Sequence, residues 1–143
     1  MGTAASGLPQ GEYRMSTLNT SAIKRVLVVD DAHDVADSLS MLVQVLGHEV
    51  KHAYDGQAAL DLAASFHPDV VFLDIAMPKL DGFAVARQLQ QGEGPAPRLV
   101  ALTGFDQDRH LLAASQAGFS DYVVKPHVAE GVKRILGSAL SAP

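Results

Sequence analysis

Four acidic or hydroxylic side chains and one amine stand where short apolar runs break off. Val26-Leu27-Val28-Val29 ends in Asp30-Asp31, Val70-Val71-Phe72-Leu73 in Asp74, Leu99-Val100-Ala101-Leu102 in Thr103, and Tyr122-Val123-Val124 in Lys125. In an open sheet of parallel strands, ligands gather beyond the carboxyl ends. Three carboxylates and an ammonium at one rim repel or pair with each other, and a cation would settle the balance. Oxygen donors without His or Cys suit a hard ion, most simply Mg²⁺, which keeps open positions for phosphate oxygens. A carboxylate beside such an ion can attack a phosphoryl group and form an acyl phosphate. That transfer needs positioning and charge neutralisation, for which a metal, an ammonium and a hydroxyl suffice. Gly104 leaves room near the backbone for the transferred group. The plainer alternative is a salt-bridged rim, in which any single Asp would be a helix cap.

The elements that must position these residues follow from the apolar pattern. The run Val26–Val29 has no polar position, as expected of a strand covered on both faces. Val35, Leu39, Leu42, Val43 and Leu46 recur at helical steps and stop at Gly47. Glu49–Ala53 reads as a second strand, and Ala58, Ala59, Leu62, Ala63 and Phe66 as a second helix closed near His67-Pro68. The third strand ends at Asp74, and Asp81 is the expected N-cap of a third helix carrying Val85, Ala86 and Leu89. Gly92-Glu93-Gly94-Pro95-Ala96-Pro97 breaks the chain before the fourth strand. A helix is expected over 106–117 with Gly118 as its stop, then strand 122–124, then a helix over 128–140. Five strand–helix units predict an α/β fold, one parallel sheet with helices on both faces.

Composition bounds the remaining choices. The chain has 143 residues, 11 basic and 16 acidic, for a net charge of −5, and 48% of its residues are hydrophobic. Roughly one domain is expected, and a chain of about 150 residues buries some two-thirds of its unfolded surface. The absence of cysteine excludes disulfides, thiolate zinc sites and cysteine nucleophiles. No apolar run approaches the roughly 20 residues of a membrane span. Scattered Lys and Arg in an acidic chain argue against a nucleic-acid surface. A cytoplasmic protein is therefore expected, with neither nucleic acid nor membrane as partner. Residues 1–22, rich in Gly, Ser, Thr and Ala, read as a flexible leader ahead of a domain over 23–140. The leader lacks the build of a secretory signal. Its opening Met1-Gly2-Thr3-Ala4-Ala5-Ser6 fits the loose myristoylation pattern, and Met15 offers an alternative start. Only Ser141-Ala142-Pro143 follow the last helix, so no output domain is expected there.

Asp30-Asp31, Asp74-Ile75-Ala76-Met77-Pro78-Lys79-Leu80-Asp81-Gly82, Thr103-Gly104 and Tyr122-Val123-Val124-Lys125-Pro126 together resemble the receiver domain of two-component response regulators. The resemblance covers roughly residues 23–140. The wording of LVQVLGHEVKHAYDGQAALDLA and RLVALTG is most similar to receivers of hybrid sensor kinases. The resemblance implies a flavodoxin-like, doubly wound (βα)5 sheet of order 2-1-3-4-5. It implies that Asp74 accepts a phosphoryl group from the phosphohistidine of a histidine kinase or histidine phosphotransfer protein. It further implies that Asp31, Asp74 and the main-chain carbonyl of Ala76 hold Mg²⁺, with Asp30 acting through a metal-bound water. Lys125 would pair with the phosphoryl oxygens and Thr103 would donate its hydroxyl to one. Lys125-Pro126 would carry a cis peptide. Met77-Pro78 and Gly82 would shape the loop after Asp74.

Phosphorylation adds charge of about −1.5 to −2 and three acceptor oxygens. By the resemblance, Thr103 moves toward them and Tyr122 enters the vacated space, changing an output surface of helix 106–117, strand 122–124 and helix 128–140. That surface is also where a dimer would form, and its downstream protein target is unspecified. The alternative is that Tyr122 is an ordinary strand aromatic. Ala76 and Phe105 occupy positions that tune phosphoryl lifetime in the family, and their apolar character points to slow self-hydrolysis. Of the histidines, His33 lies near Asp30-Asp31. His48 and His52 do not share a helical face, and His110 and His127 are expected at exposed helix positions. None is expected to ligate metal.

Three other classes compete. A haloacid dehalogenase-like phosphatase resembles D-x-D, but Ala76 stands two residues after Asp74, so turnover is not expected and the chain is read as no enzyme. A flavodoxin-like cofactor binder needs a phosphate cradle where Asp30-Asp31 would repel phosphate. A degenerate receiver would lack one of the chemical residues, and all are present.

Overall fold

The all-apolar run after Arg25 has no face to offer water, so both of its faces must be covered. In the computed structural model, which describes residues 22–75, 82–92, 94–104, 117–125 and 128–137, Val26, Leu27, Val28 and Val29 are each fully buried. The elements are β1 (Arg25–Val29), α1 (His33–Val45), β2 (Glu49–Ala53), α2 (Gly56–Phe66), β3 (Val70–Asp74), α3 (Gly82–Gln90), β4 (Arg98–Thr103), β5 (Phe119–Val124) and α4 (Val128–Leu136). All strand pairs are parallel, in the order β2-β1-β3-β4-β5.

Strand alternation divides the core into two layers. Leu27, Val29, Val71, Leu73, Leu99 and Ala101 face one way, against Ala59 of α2 and Val85, Ala86 and Leu89 of α3. Val26, Val28, Phe72, Val100 and Leu102 face the other way, against Ala36, Leu39 and Val43 of α1 and Val132 and Leu136 of α4. The sheet is therefore wound on both sides. Register then aligns the carboxyl ends: Val29 lies opposite Leu73, Asp74 opposite Leu102 and Thr103 opposite Val124.

Local chemistry sets the helix limits. Asp55 caps α2 by accepting from the Ala58 N–H at 2.8 Å. Gly47 ends α1 at φ 95°. His67 closes α2 at φ 54°, left-handed backbone just before Pro68.

Two boundaries differ from the predicted ones. β5 begins at Phe119 instead of Tyr122, because buried Phe119 packs edge-on against Phe83 at 6.2 Å. Ser120 is the extra residue of a bulge, since Leu99 pairs with Phe119 but Val100 with Asp121; those two polar residues read locally as a turn. The last helix closes at Leu136, not near residue 140, because Gly137 takes φ 62° and returns its N–H to the Lys133 carbonyl. The expected Asp81 cap and nearly all of helix 106–117 lie outside the described residues. Among the described residues, no helix is long and apolar enough to cross a membrane.

Candidate functional site

β1 delivers Asp30 into a position with no solvent exposure, where Oδ1 accepts the Ala32 N–H at 2.9 Å. Its main-chain N–H extends the sheet by donating to the Ala53 carbonyl at 3.2 Å. Asp31 follows on the exposed side. β3 is buried at every position and ends on Asp74, itself 5% exposed. One carboxylate oxygen each from Asp30, Asp31 and Asp74 lie within 4.8 Å of one another. Adjacency of β1 and β3 in the sheet is what brings these groups together.

Lys125 enters from the end of β5, anchored by its N–H to the Thr103 carbonyl at 2.7 Å. Its Nζ lies 2.7 Å from Asp30 Oδ2 and 3.3 Å from Asp74 Oδ2. Burial alone would lower the lysine's pKa, but the Asp30 and Asp74 carboxylates outweigh it and hold the value above the ordinary one. Buried Thr103 points a hydroxyl at the Gly104 carbonyl over 3.4 Å, a weak bond easily exchanged for a better acceptor.

These residues fit a divalent hard cation. Three carboxylates face one ammonium, leaving excess negative charge in a partly dry site. Asp30 Oδ2 is fully buried, and the Lys125 ammonium 2.7 Å away offsets only one of the three carboxylate charges. An all-oxygen set of carboxylate donors is the environment Mg²⁺ takes. Ala76, Met77-Pro78, Phe105 and Pro126 lie outside the described residues. Gly82 does not: a Cβ there would meet the Asp74 carbonyl oxygen at 2.6 Å. Only a glycine lets α3 start against the end of β3.

Tyr122 is 45% exposed on β5 and lines a groove of about 500 Å³ with Asp121, Val123, Val124, Glu130, Gly131 and Arg134. Arg134 spans it, donating to Asp121 Oδ2 at 3.1 Å and to the Tyr122 carbonyl at 3.3 Å.

The histidines separate sharply. His48 is buried, accepting the Lys24 N–H at Nδ1 (3.1 Å) and donating from Nε2 to the Gly137 carbonyl (2.9 Å), so it ties the start of the sheet to the end of α4. Its partners are main-chain groups far off in sequence, which no local pattern announces. His33 stacks on Tyr54 with ring centroids 3.7 Å apart. Tyr54 had no signal in the sequence either. His110 and His127 lie outside the described residues.

Residues 26–136 match the family model described as the response regulator receiver domain, and the chain belongs to that family. It is similar to the response regulator MprA of Mycolicibacterium vanbaalenii, 45% identical over 106 residues, covering 74% of this chain and 46% of that protein. The MprA of Mycobacterium tuberculosis is 42% identical over the same share of each. The chain thus spans about half the length of these curated relatives. Among solved structures, the chemotaxis protein CheY4 of Vibrio cholerae superposes with a TM-score of 0.75 at 28% identity, covering 83% of this chain and 100% of that one. The receiver domain of NtrX from Brucella abortus gives 0.71 at 29% identity, covering 77% and 92%. A receiver domain of two-component signalling is the class that this fold and these relatives define.

Proposed function

We propose that Asp74 is the phosphoacceptor of this receiver, taking its phosphoryl group from the phosphohistidine of a histidine kinase or histidine phosphotransfer protein. The observation that carries this reading is the meeting of Asp30, Asp31 and Asp74 within 4.8 Å, with Lys125 2.7 Å from the first and 3.3 Å from the last. An Asp74 oxygen attacks phosphorus, the phosphorus–nitrogen bond to the donor imidazole breaks, and an acyl phosphate remains. Asp30, Asp31, Asp74 and the Ala76 carbonyl would hold Mg²⁺, which when bound neutralises charge on the phosphoryl oxygens. Lys125 is released from part of its pairing with Asp74 and turns to a phosphoryl oxygen. The Thr103 hydroxyl, weakly held at 3.4 Å, donates to another.

The movement of Thr103 opens space toward the edge strand, where exposed Tyr122 turns inward. The output surface is then β5, α4 and the 106–117 segment, which serves an unspecified protein target or a second copy of the chain. One phosphoryl group is accepted per cycle, so the domain is a signalling component of the cytoplasm and not a turnover enzyme.

Acetyl phosphate with Mg²⁺, read by intact mass, tests the reading. Wild type should gain one phosphoryl group and Asp74→Asn none. Equal labelling of both would defeat the assignment of Asp74.

A further inference from the structure

The turn that carries Asp30 and Asp31 has little of its own to hold it in place. α1 starts after Ala32, whose methyl group can accept no N–H, so its first turn lacks the side-chain cap that Asp55 gives α2. Asp30 is fixed regardless, by its N–H on the Ala53 carbonyl, by the Ala32 N–H on its Oδ1 and by Lys125. Asp31 is exposed and stands one residue further out. The side chain that meets the first turn of α1 is Tyr54, the residue after Ala53. Its ring stacks on His33, the first residue of α1, with centroids 3.7 Å apart and planes 18° from parallel. Its hydroxyl donates to Asp37 Oδ1, one helical turn further along, at 2.7 Å, which leaves the oxygen to accept from His52 Nε2 at 3.1 Å. We propose that Tyr54 is a positioning residue for the divalent cation: it clasps α1 to the end of β2 and so holds Asp31 where its carboxylate can share an ion with Asp30 and Asp74. This role rests on the reading of those three carboxylates as a Mg²⁺ site.

A continuous line of contacts runs from the sheet to the acidic rim. β2 is paired with β1 along its whole length, and His52 ties the phenol to β2. Tyr54 then touches α1 at His33 and at Asp37, two points on one helical face. Two such contacts resist both sliding of the helix along its axis and rotation about it. His33 is only two positions past Asp31, so whatever moves the start of α1 moves Asp31. The Asp37 carboxylate, through its hydrogen bond, holds the phenol's pKa above the ordinary 10.0, so the hydroxyl keeps the proton it donates. One oxygen of Asp31 lies within 4.8 Å of its counterparts on Asp30 and Asp74. Mg²⁺ tolerates little departure from octahedral order, so its affinity is sensitive to where Asp31 stands.

Mg²⁺ titrated calorimetrically at a temperature where every variant is folded tests the role, together with amide hydrogen exchange in Mg²⁺-free buffer. Tyr54→Leu should weaken Mg²⁺ binding about three- to tenfold, less than the roughly 10–100-fold lost with a direct outer-shell partner. His33→Ala should do the same, and the two together no more than either alone, since both remove one contact. Tyr54→Phe keeps the ring against His33 and should recover most of the affinity. Without Mg²⁺, exchange in Tyr54→Leu should quicken at Val35 and Ala36, whose N–H groups bond to the Ala32 carbonyl. His48→Phe, which loosens the opposite end of β1, is the control: it lowers stability and should leave Mg²⁺ affinity unchanged. If Asp31→Asn weakens Mg²⁺ binding while Tyr54→Leu binds as wild type, the role of Tyr54 is overturned and the cation site stands. If wild type binds no Mg²⁺, or Asp31→Asn changes nothing, the cation reading itself fails and the role of Tyr54 with it. An equal loss of affinity in His48→Phe would reduce the effect to general destabilisation and overturn the role as well.

Discussion

The ammonium of Lys125 lies 2.7 Å from Oδ2 of Asp30, closer than its 3.3 Å to Asp74. The cation at the end of β5 thus compensates first the carboxylate that has no solvent exposure. Lys125→Met leaves Asp30 buried without its countercharge. Because the lysine side chain is 28% exposed, the loss should be about 1–3 kcal/mol, below the roughly 3–5 kcal/mol of a fully buried pair. Urea denaturation in Mg²⁺-free buffer measures it, and added Mg²⁺ should recover most of it. The sign with pH follows from the raised pKa of Lys125. Its contribution is complete below the ordinary lysine value of 10.5 and fades as pH climbs through the higher folded value. The gap between wild type and Lys125→Met should therefore be flat across neutral pH and close only in alkali.

Gly82 backs onto the Asp74 carbonyl oxygen at 2.6 Å and the Ile75 Cα at 2.8 Å, measured from where a Cβ would stand. Both are backbone atoms, which cannot rotate aside. Gly82→Ala should cost about 1–3 kcal/mol and slow labelling by acetyl phosphate, because α3 must retreat from the strand end that holds Asp74. Gly92→Ala, whose nearest neighbour is 3.8 Å away, is the control and should stay within about 0.5 kcal/mol of wild type.

Burial pushes the pKa of Asp121 up, but the Tyr122 N–H and the Arg134 and Arg98 guanidinium groups outweigh it and bring the value below the ordinary carboxylate one. Its stabilising contribution is therefore present above the unfolded value of 3.8 and disappears as pH falls through the lower folded value. Asp121→Asn should flatten the acid limb of the stability profile. Thermal melts of both proteins across that range check this.

His48 satisfies two main-chain groups at once, the Lys24 N–H and the Gly137 carbonyl. His48→Phe fills the space yet strands both, so a loss of about 1–3 kcal/mol is expected. Hydrogen exchange should quicken at Lys24 and in the last turn of α4. A variant that melts with wild type would show that water replaces the imidazole.

The sequence by itself determined the alternation of strands and helices and the residues that end each strand. Both are local properties: unbroken apolar runs such as Val26–Val29 require two covered faces, and Asp30, Asp74, Thr103 and Lys125 follow such runs directly. The strand order came from resemblance to a family, not from periodicity, which says nothing of which strands are neighbours. Tertiary structure alone decided that Lys125 lies closer to Asp30 than to Asp74. It also decided that His48 reaches Gly137 and that β5 begins at Phe119. Each of these depends on contacts between segments distant in the chain, whose geometry is set by packing of the whole sheet and its helices, whereas a residue's immediate neighbours encode only its own turn of backbone.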